Sequence, residues 1–230
     1  MLTLEGGRIK QGTFSMQAEM TFEQGQKYAV IGPSGAGKST LLNAICGFVP
    51  LAAGQLTWQG NDITSAPPGA RPMTMVFQDN NLFPHLSIAQ NVGLGARPDL
   101  RLNTEEKNRV ADALERVGLK DHTTKRPGAL SGGQQSRAAL ARVLVQAHPI
   151  VLLDEPFAAL GPALRNEMLD LVQELVSETR AALIMVTHAP EDVRRVADQV
   201  VFVAEGRAEA PQPAAGLMDN PPRALKEYLG

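Results

Sequence analysis

The sequence predicts an α/β fold with a mostly parallel sheet, an antiparallel β piece at the N-terminus and an inserted helical subdomain. Short apolar runs alternate with segments of helical spacing, the first residues alternate between polar and apolar, and one long interior stretch lacks any strand pattern. We therefore expect a single domain over residues 1–230. Its core would comprise 1–79 and 149–230, and the helical subdomain about 80–148.

Six short runs predict the strands of the core sheet. They are KYAVIG (27–32), QLTWQG (55–60), MTMVFQ (73–78), IVLLDE (150–155), ALIMVTH (182–188) and QVVFVAEG (199–206). Helical segments between such runs are typical of a parallel sheet. Ligands bind these sheets at the carboxyl ends of the strands, so functional residues are expected at that edge.

The remaining segments predict other structure. Leu2–Glu5 and SMQAEMTF (15–22) alternate and are joined by short Gly-containing turns, which indicates an antiparallel pair. The stretch from Asn80 to His148 is helical in pattern, with Thr104 as a plausible N-cap and Gly118 as a helix stop. Beyond Gly206 the chain is rich in Pro and Ala, which predicts a loop followed by a short helix.

Composition excludes several classes of protein. Lys and Arg total 22 against 24 Asp and Glu, so the chain lacks the excess of positive charge that holds nucleic acid or anionic lipid. The single cysteine, Cys46, precludes an intrachain disulfide, favours a reducing cytoplasm, and is expected to fill the core. No apolar run approaches the roughly 20 residues of a membrane helix, and MLTLEGGRIK does not resemble a signal peptide. A role at a membrane would require a partner.

A glycine-rich loop follows the strand YAVI and precedes the helical run LLNAICGF. It fits the pattern G-x-x-x-x-G-K-[ST] and consists of Gly32, Pro33, Ser34, Gly35, Ala36, Gly37, Lys38, Ser39 and Thr40. The backbone N–H groups of such a loop bind phosphate, Lys38 would reach the β and γ phosphates, and Ser39 would face Mg²⁺. The alternative is a turn that only caps a helix, which the order of strand, loop and helix disfavours.

Two carboxylates end the strand IVLLDE. Nucleoside triphosphatases hold Mg²⁺ with an acidic residue at a strand end, so Asp154 is the candidate metal ligand. Strand alternation turns Glu155 away from the metal and leaves it able to polarise the water that attacks the γ phosphate. Taken alone, such a pair is more often a solvated strand end. Together with the Lys38 loop, it predicts a catalytic site.

Two other polar residues end strands at the same edge. His188 could hydrogen-bond the γ phosphate and hold Glu155 and the water in line. Gln78 ends the strand MTMVF, and its alternative is simply a polar residue leaving a strand. The remaining histidines share no metal-ligand spacing and are expected at the surface or at helix ends: His85, His122 and His148.

A second anion site is predicted at the start of LSGGQQSRAALARVLV. Ser131 and Gln134 have the spacing of a capping box, and a well-capped helix is one interpretation. Gly132 and Gly133 are poor helix formers, however. They suit a helix N-terminus whose backbone must approach a phosphate closely.

In chain order, GPSGAGKST, Gln78, LSGGQ, LLDEP and His188 resemble the Walker A, Q-loop, signature, Walker B and H-loop motifs of ATP-binding cassette (ABC) transporter ATPases. The resemblance covers nearly the whole chain and implies a P-loop nucleoside triphosphatase core that binds ATP and Mg²⁺. It implies metal ligation by Ser39, Gln78 and Asp154, and catalysis by Glu155, His188 and Gln78. It also implies a head-to-tail homodimer, in which Ser131, Gly132, Gly133 and Gln134 of one subunit cap the ATP of the other.

Within this family, FQDNNLFPHLSIAQNVGLG, RPGALSGGQ and LLDEPFAALGPALR resemble the ATPase subunits of bacterial thiamine importers. That resemblance implies an integral membrane permease, a periplasmic solute-binding protein, and a location on the cytoplasmic face of the inner membrane. The segment 78–92 is apolar enough to form a docking groove for the permease, or else to pack on the helical subdomain. Thiamine would not touch this subunit, so the transported solute is inferred from resemblance alone.

Two positions depart from the family pattern. Gln11 lies where relatives carry an aromatic residue that stacks on adenine, and Phe14 could substitute for it. Gly161 lies where relatives carry an Asp that contacts the neighbouring subunit's Walker A loop. Gly161 precedes Pro162 and an apolar helical pattern, so we expect it to be an N-cap, a position where Gly is only a few tenths of a kcal/mol worse than Asp.

Besides a thiamine importer, the sequence leaves three other functions open. The chain could energise an importer of another small solute. It could be a soluble cassette protein that acts on nucleic acid or ribosomes, although the single cassette and the absence of a basic patch disfavour this. It could also be a clamp that binds ATP but hydrolyses it slowly because of Gln11 and Gly161.

Overall fold

The computed structural model describes residues 1–221 and 225–226 of the chain. The strands in this part are β1 (Leu2–Gln11), β2 (Phe14–Phe22), β3 (Lys27–Ile31), β4 (Leu51–Trp58), β5 (Asn61–Asp62), β6 (Met73–Val76), β7 (Ile150–Asp154), β8 (Ala182–Val186), β9 (Gln199–Ala204), β10 (Arg207–Ala208) and β11 (Gln212–Pro213). The helices are α1 (Lys38–Cys46), α2 (Ile88–Gly93), α3 (Thr104–Arg116), α4 (Gly132–Gln146), α5 (Pro162–Thr179), α6 (Pro190–Val196) and α7 (Ala214–Asp219).

The described strands join in one sheet of mixed direction. Its order is β5-β4-β1-β2-β10-β9-β3-β8-β7-β6, and β11 pairs with β9. The neighbours β9, β3, β8, β7 and β6 are parallel, whereas β1 pairs antiparallel with both β2 and β4. The predicted α/β class, with a mostly parallel core and an antiparallel N-terminal piece, is therefore confirmed, but the run QLTWQG lies in β4 of the antiparallel part and not among the parallel strands.

Alternating side chains of the central strands fill two separate layers of core. Ile150 and Leu152 of β7 pack in a cluster with Leu41 of α1, whereas Val151 and Leu153 pack with residues of α4 and α5. Both faces of β7 and β8 are thus covered, and every residue of these two strands is buried. The acidic end of β7 is consequently held on a fully buried strand.

The stretch between β6 and β7 is helical, as its pattern predicts, and contains no strand in the described structure. Helices α2, α3 and α4 share an apolar cluster of their own. The N-cap of α3 is Asn103 and not Thr104, because Asn103 forms a capping box with Glu106. Helix α3 ends at Arg116, shortly before Gly118, whose positive φ of 70° suits glycine.

The structure also tests the predicted length of β1, the predicted C-terminal segment and the predicted burial of Cys46. Strand β1 is ten residues long and continues well beyond the predicted Leu2–Glu5. Beyond Gly206, where a loop and then a short helix are predicted, the chain forms the brief strands β10 and β11 before helix α7, and residues 222–224 and 227–230 lie outside the described residues. Cys46 is buried in α1, as expected of a core residue. A search of the described helices finds none with the length and apolar character to cross a membrane.

Candidate active site

The glycine-rich loop joins β3 to α1, and its glycines adopt backbone conformations that other residues rarely do. Gly37 is the N-cap of α1, with a φ of 103°, and Gly35 has a φ of 76°. Gly32 has a φ of 148°, and a Cβ atom there would lie 2.0 Å from the carbonyl oxygen of Val203. The first glycine of the pattern is therefore required both by its backbone angle and by close contact with β9.

The side chain of Lys38 folds back over this loop. Its Nζ atom donates hydrogen bonds to the carbonyl oxygens of Gly32 (2.8 Å) and Pro33 (2.9 Å), and the residue is only 5% exposed. Burial lowers the pKa of Lys38 below its ordinary value, and the carboxylates of Glu155 and Asp154 partly offset this effect. The ammonium group is thus positioned between the phosphate loop and the acidic end of β7.

The first turn of α1 is linked directly to the end of β7. The Ser39 hydroxyl donates to Oδ1 of Asp154 over 3.0 Å. Asp154 is nearly buried, and desolvation raises its pKa above the ordinary value even though the Ser39 hydrogen bond acts in the opposite direction. Asp154 and Gln78 also line one open cleft of about 680 Å³. The structure thus brings together the predicted metal ligands.

Gln78 reaches this cleft from a loop and not from the end of a strand. Strand β6 ends at Val76, and Gln78 is exposed two residues beyond it. The strand prediction was therefore too long by two residues. The predicted location at the carboxyl edge of the sheet is unaffected.

Glu155 and His188 form the closest acid–base pair of the site. The Oε1 atom of Glu155 lies 2.6 Å from Nε2 of His188, and their side chains are 19% and 42% exposed. Glu155 has a positive φ of 47°, which is unusual for a residue with a side chain, and its N–H donates to the carbonyl of Val186 on β8. Strained backbone of this kind clusters at functional sites, so the conformation supports a role for Glu155 beyond that of a strand end.

The signature segment begins α4 with the predicted capping box. The N–H of Gln134 donates to the Ser131 hydroxyl (3.3 Å), and the N–H of Ser131 donates to the Gln134 side chain (3.0 Å). Ser131 and Gly132 are exposed, whereas Gly133 is buried. A Cβ atom on Gly133 would lie 2.4 Å from Leu164 of α5, so packing in this chain explains the second glycine.

The structure shows the surroundings of Gln11 and Gly161, the two positions that depart from the family pattern. Gln11 ends β1 and is exposed, whereas Phe14 is half-buried, and its ring lies so close to Gly37 that a Cβ there would clash with it. Gly161 is the N-cap of α5, as predicted, and nothing lies within 4 Å of a Cβ atom added to it. An aspartate would therefore fit at position 161 without a clash.

Three contacts to these motifs were missed from the sequence. Arg142 of α4 donates to the carbonyls of Asn80 and Asn81, just after Gln78, and Arg165 of α5 contacts the residue before His188. The sequence signal for Arg142 was its charge within the run AALARVLV (138–145), which is otherwise apolar. His122, expected to be an ordinary surface or capping residue, is half-buried, with Nε2 3.2 Å from the Gln134 amide nitrogen.

Comparison with known proteins identifies the family of this chain. Residues 16–158 match the family model described as ABC transporter. Over its full length of 230 residues the chain is 56% identical to all of the thiamine import ATP-binding protein ThiQ of Ruegeria sp. (strain TM1040), and 57% identical to all of the protein of that name from Cereibacter sphaeroides.

Two solved structures have the same fold. A nucleotide-free ATP-binding cassette from an ABC transporter superposes with a TM-score of 0.88 at 22% identity, covering 100% of this chain and 99% of that one. The cassette MJ0796, solved as a dimer in a post-hydrolysis state with ADP and Pi, gives 0.79 at 26% identity and covers 93% and 99%. From the sequence match, the phosphate loop and the ordered motifs, we conclude that this chain is an ATP-binding member of the ABC transporter family.

Proposed function

We propose that the chain is the ATP-hydrolysing subunit of a bacterial importer for thiamine. The observation that carries the catalytic part of this proposal is the meeting of three groups at one edge of the sheet. They are the Lys38 loop, the Ser39–Asp154 hydrogen bond and the Glu155–His188 pair. The transported solute is supported by the relatives of about 57% identity that span the whole chain.

The residues at the metal position suit Mg²⁺. Ser39, Gln78 and Asp154 offer a hydroxyl, an amide and a carboxylate oxygen, which are hard ligands. The described residues contain no cluster of three His, Cys, Asp or Glu side chains that would favour another metal. Bound Mg²⁺ would neutralise charge on the β and γ phosphates. The phosphate loop and Lys38 would hold those phosphates, with Lys38 exchanging its carbonyl partners for phosphate oxygens.

Glu155 is the proposed general base. Its carboxylate would accept a proton from the attacking water, and His188 would hold that carboxylate in place while contacting the γ phosphate. Gln78 lines the same cleft as Asp154, and it would respond there to whether a γ phosphate is bound. Phe14, whose ring lies against Gly37, provides an aromatic surface beside the phosphate loop and is the proposed partner of the adenine.

The exposed end of α4 supports action in trans. Ser131 and Gly132 contribute hydrogen-bonding groups to solvent at a helix N-terminus, where a phosphate would be favourable. The dimeric cassette among the structural neighbours supports a two-subunit arrangement. In the proposed head-to-tail homodimer, Ser131, Gly132, Gly133 and Gln134 would cap the nucleotide bound by the other subunit.

An exposed aromatic side chain is available for the proposed permease at the cytoplasmic face of the inner membrane. Within 78–92, Phe83 is 42% exposed, whereas Ile88 and Val92 are buried in the cluster of α2, α3 and α4. The fully buried Asn91 side chain bonds the backbone of Phe83, which fixes the shape of this loop. These features support docking within 78–92, and a periplasmic binding protein would deliver the solute to the permease.

Solute uptake by cells tests the proposal. Cells that depend on this chain, its permease and its binding protein would be given labelled thiamine. We expect Lys38→Ala to abolish uptake and Lys10→Ala, an exposed lysine of β1, to leave it unchanged at equal protein abundance. Uptake that survives Lys38→Ala would contradict the proposed motor function. Transport of a different solute in place of thiamine would favour the alternative importer.

A further inference from the structure

A buried ion pair connects α5 to the loop that carries His188. The Nη2 atom of Arg165 pairs with Oδ2 of Asp192, in the first turn of α6, and lies 3.3 Å from the hydroxyl of Thr187. The Asp192 side chain is only 6% exposed and that of Arg165 is 25% exposed. This pair is therefore largely shielded from solvent.

Thr187 connects this ion pair to the backbone on both sides of His188. Its hydroxyl donates to Oδ2 of Asp192 over 2.6 Å and accepts the N–H of Ala189 over 3.1 Å. The Thr187 N–H is itself bonded to the carbonyl of Val30 in β3. The backbone immediately before and after His188 is thus tied to Asp192 and, through it, to Arg165.

The catalytic pair and the ion pair border the same space. A cavity of about 260 Å³ is lined by Glu155 and His188 together with Arg165, Thr187 and Asp192. A shift of the loop at 187–189 would therefore change the 2.6 Å contact between Glu155 and His188.

We propose that Arg165 is a positioning residue for hydrolysis, which holds His188 against Glu155 through Asp192 and Thr187. The inference rests on the proposed catalytic roles of Glu155 and His188. Arg165 acts from the first turn of α5, where its N–H donates to the carbonyl of the N-cap Gly161. The start of α5 and the His188 loop are consequently held in one arrangement.

A purely structural role for Arg165 would be to fasten α5 to α6. The chain offers a matched control for that role, because Arg195 of α6 and Asp170 of α5 join the same two helices by hydrogen bonds of 2.9 and 2.7 Å. This second pair is exposed, with side chains 39% and 57% accessible. None of its observed hydrogen bonds involves residues 187–189.

The test is steady-state ATP hydrolysis by the full-length chain in its membrane complex, with Tm measured in parallel. We expect Arg165→Met to lower kcat by about 10-fold or more while KM for ATP changes less than about twofold, because only the orientation of the reacting groups is lost. Arg165→Lys, which keeps the charge, should retain an intermediate kcat. Arg195→Met should leave kcat within about twofold.

A double variant separates positioning from stability. Arg165→Met alone leaves the Asp192 carboxylate buried without its partner, which is destabilising. Arg165→Met with Asp192→Leu removes both charges, so Tm should recover while kcat stays low. Recovery of kcat together with Tm would overturn the inference, as would a kcat for Arg165→Met equal to that of Arg195→Met.

Glu155→Gln, measured in the same assay, keeps the two proposals distinguishable. Hydrolysis that persists in this variant would refute the proposed catalytic roles and the positioning role with them. Loss of hydrolysis in Glu155→Gln, combined with wild-type kcat in Arg165→Met, would refute the positioning role alone.

Discussion

The Ser39 hydroxyl donates a 3.0 Å hydrogen bond to the Asp154 carboxylate, which joins the phosphate-loop helix to the acidic end of β7. These residues lie far apart in the chain and meet because β3 and β7 both flank β8 in the sheet. The contact holds two of the predicted metal ligands together at the carboxyl edge. The Asp154 carboxylate is nearly buried, and its effects on stability and on Mg²⁺ binding can be measured.

Replacement of Asp154 by Asn should stabilise the nucleotide-free protein. Burial raises the pKa of Asp154, so the folded state favours the protonated form. That contribution to stability is full below the ordinary pKa of 3.8 and is lost as pH rises through the folded value. The folded state therefore disfavours the ionised form of this carboxylate. We expect Asp154→Asn, whose side chain stays neutral at every pH, to raise Tm at pH 7.

The same variant should lose Mg²⁺-dependent ATP binding, because a carboxylate ligand has been removed. Asp112→Asn, at an exposed site on α3, serves as the control and should change neither property. Unaltered Mg²⁺ dependence in Asp154→Asn would show that this carboxylate is not a metal ligand.

Arg71 should be essential for the stability of the phosphate-loop helix. It is only 4% exposed and donates to the carbonyls of Ala44 and Ile45 at the end of α1, and to those of Thr64 and Ala66. Arg71→Met would remove the side-chain donor from the buried carbonyls of Ala44 and Ile45, of which Ala44 keeps the Gly47 N–H, and would remove a cation from the helix C-terminus. We expect it to lower the free energy of unfolding by about 2–4 kcal/mol, measured by urea denaturation.

Arg71→Lys is the matched variant, since it retains the charge but carries its donors on a single atom, which cannot span the four carbonyls that the guanidinium contacts. Its loss of stability should be smaller than that of Arg71→Met. Equal stability of wild type and Arg71→Met would contradict the capping role.

Gly161 should tolerate aspartate without any effect on the fold. An added Cβ meets nothing within 4 Å, and the residue already has extended N-cap angles. An Asp side chain can accept a hydrogen bond from the first turn of α5, so Gly161→Asp should raise stability by a few tenths of a kcal/mol, whereas Gly161→Ala should lower it. Equal Tm values for the two variants would contradict the N-cap assignment. A faster turnover of Gly161→Asp would favour the clamp that hydrolyses slowly.

Cys46 should be unreactive in the folded protein. Burial raises the pKa of its thiol to about 11, so very little thiolate forms below that pH, and the residue is 4% exposed. We expect a thiol reagent at pH 8 to label Cys46 fully in denaturant and negligibly in the native state. Rapid labelling of the native protein would show that α1 opens readily.

Local patterns in the sequence located the parts of the site that depend on local structure. The phosphate loop, Asp154 and His188 all lie where a strand gives way to a loop, and such transitions leave a clear change of residue pattern. The error at Thr104 was also local, because Asn103 and Glu106 have the spacing of a capping box. That spacing was available from the sequence and would have corrected the boundary.

Side-chain contacts between distant elements left no comparable pattern. Arg165 and Asp192 lie 27 residues apart, and the Arg142 contacts to Asn80 and Asn81 span more than 60. Each depends on how two helices or a helix and a loop are placed in three dimensions. The contact of His122 with Gln134 was missed for the same reason, although each residue was considered separately.

In the proposed mechanism Glu155 activates the water that attacks ATP, and Glu155→Gln tests this role most directly. The change preserves size and removes the ability to accept a proton, so ATP binding should be retained. In a single-turnover measurement of phosphate release, we expect a rate at least about 100-fold below that of the wild type, because the general base is lost. A rate within about twofold of the wild type, with ATP bound equally well, would contradict it.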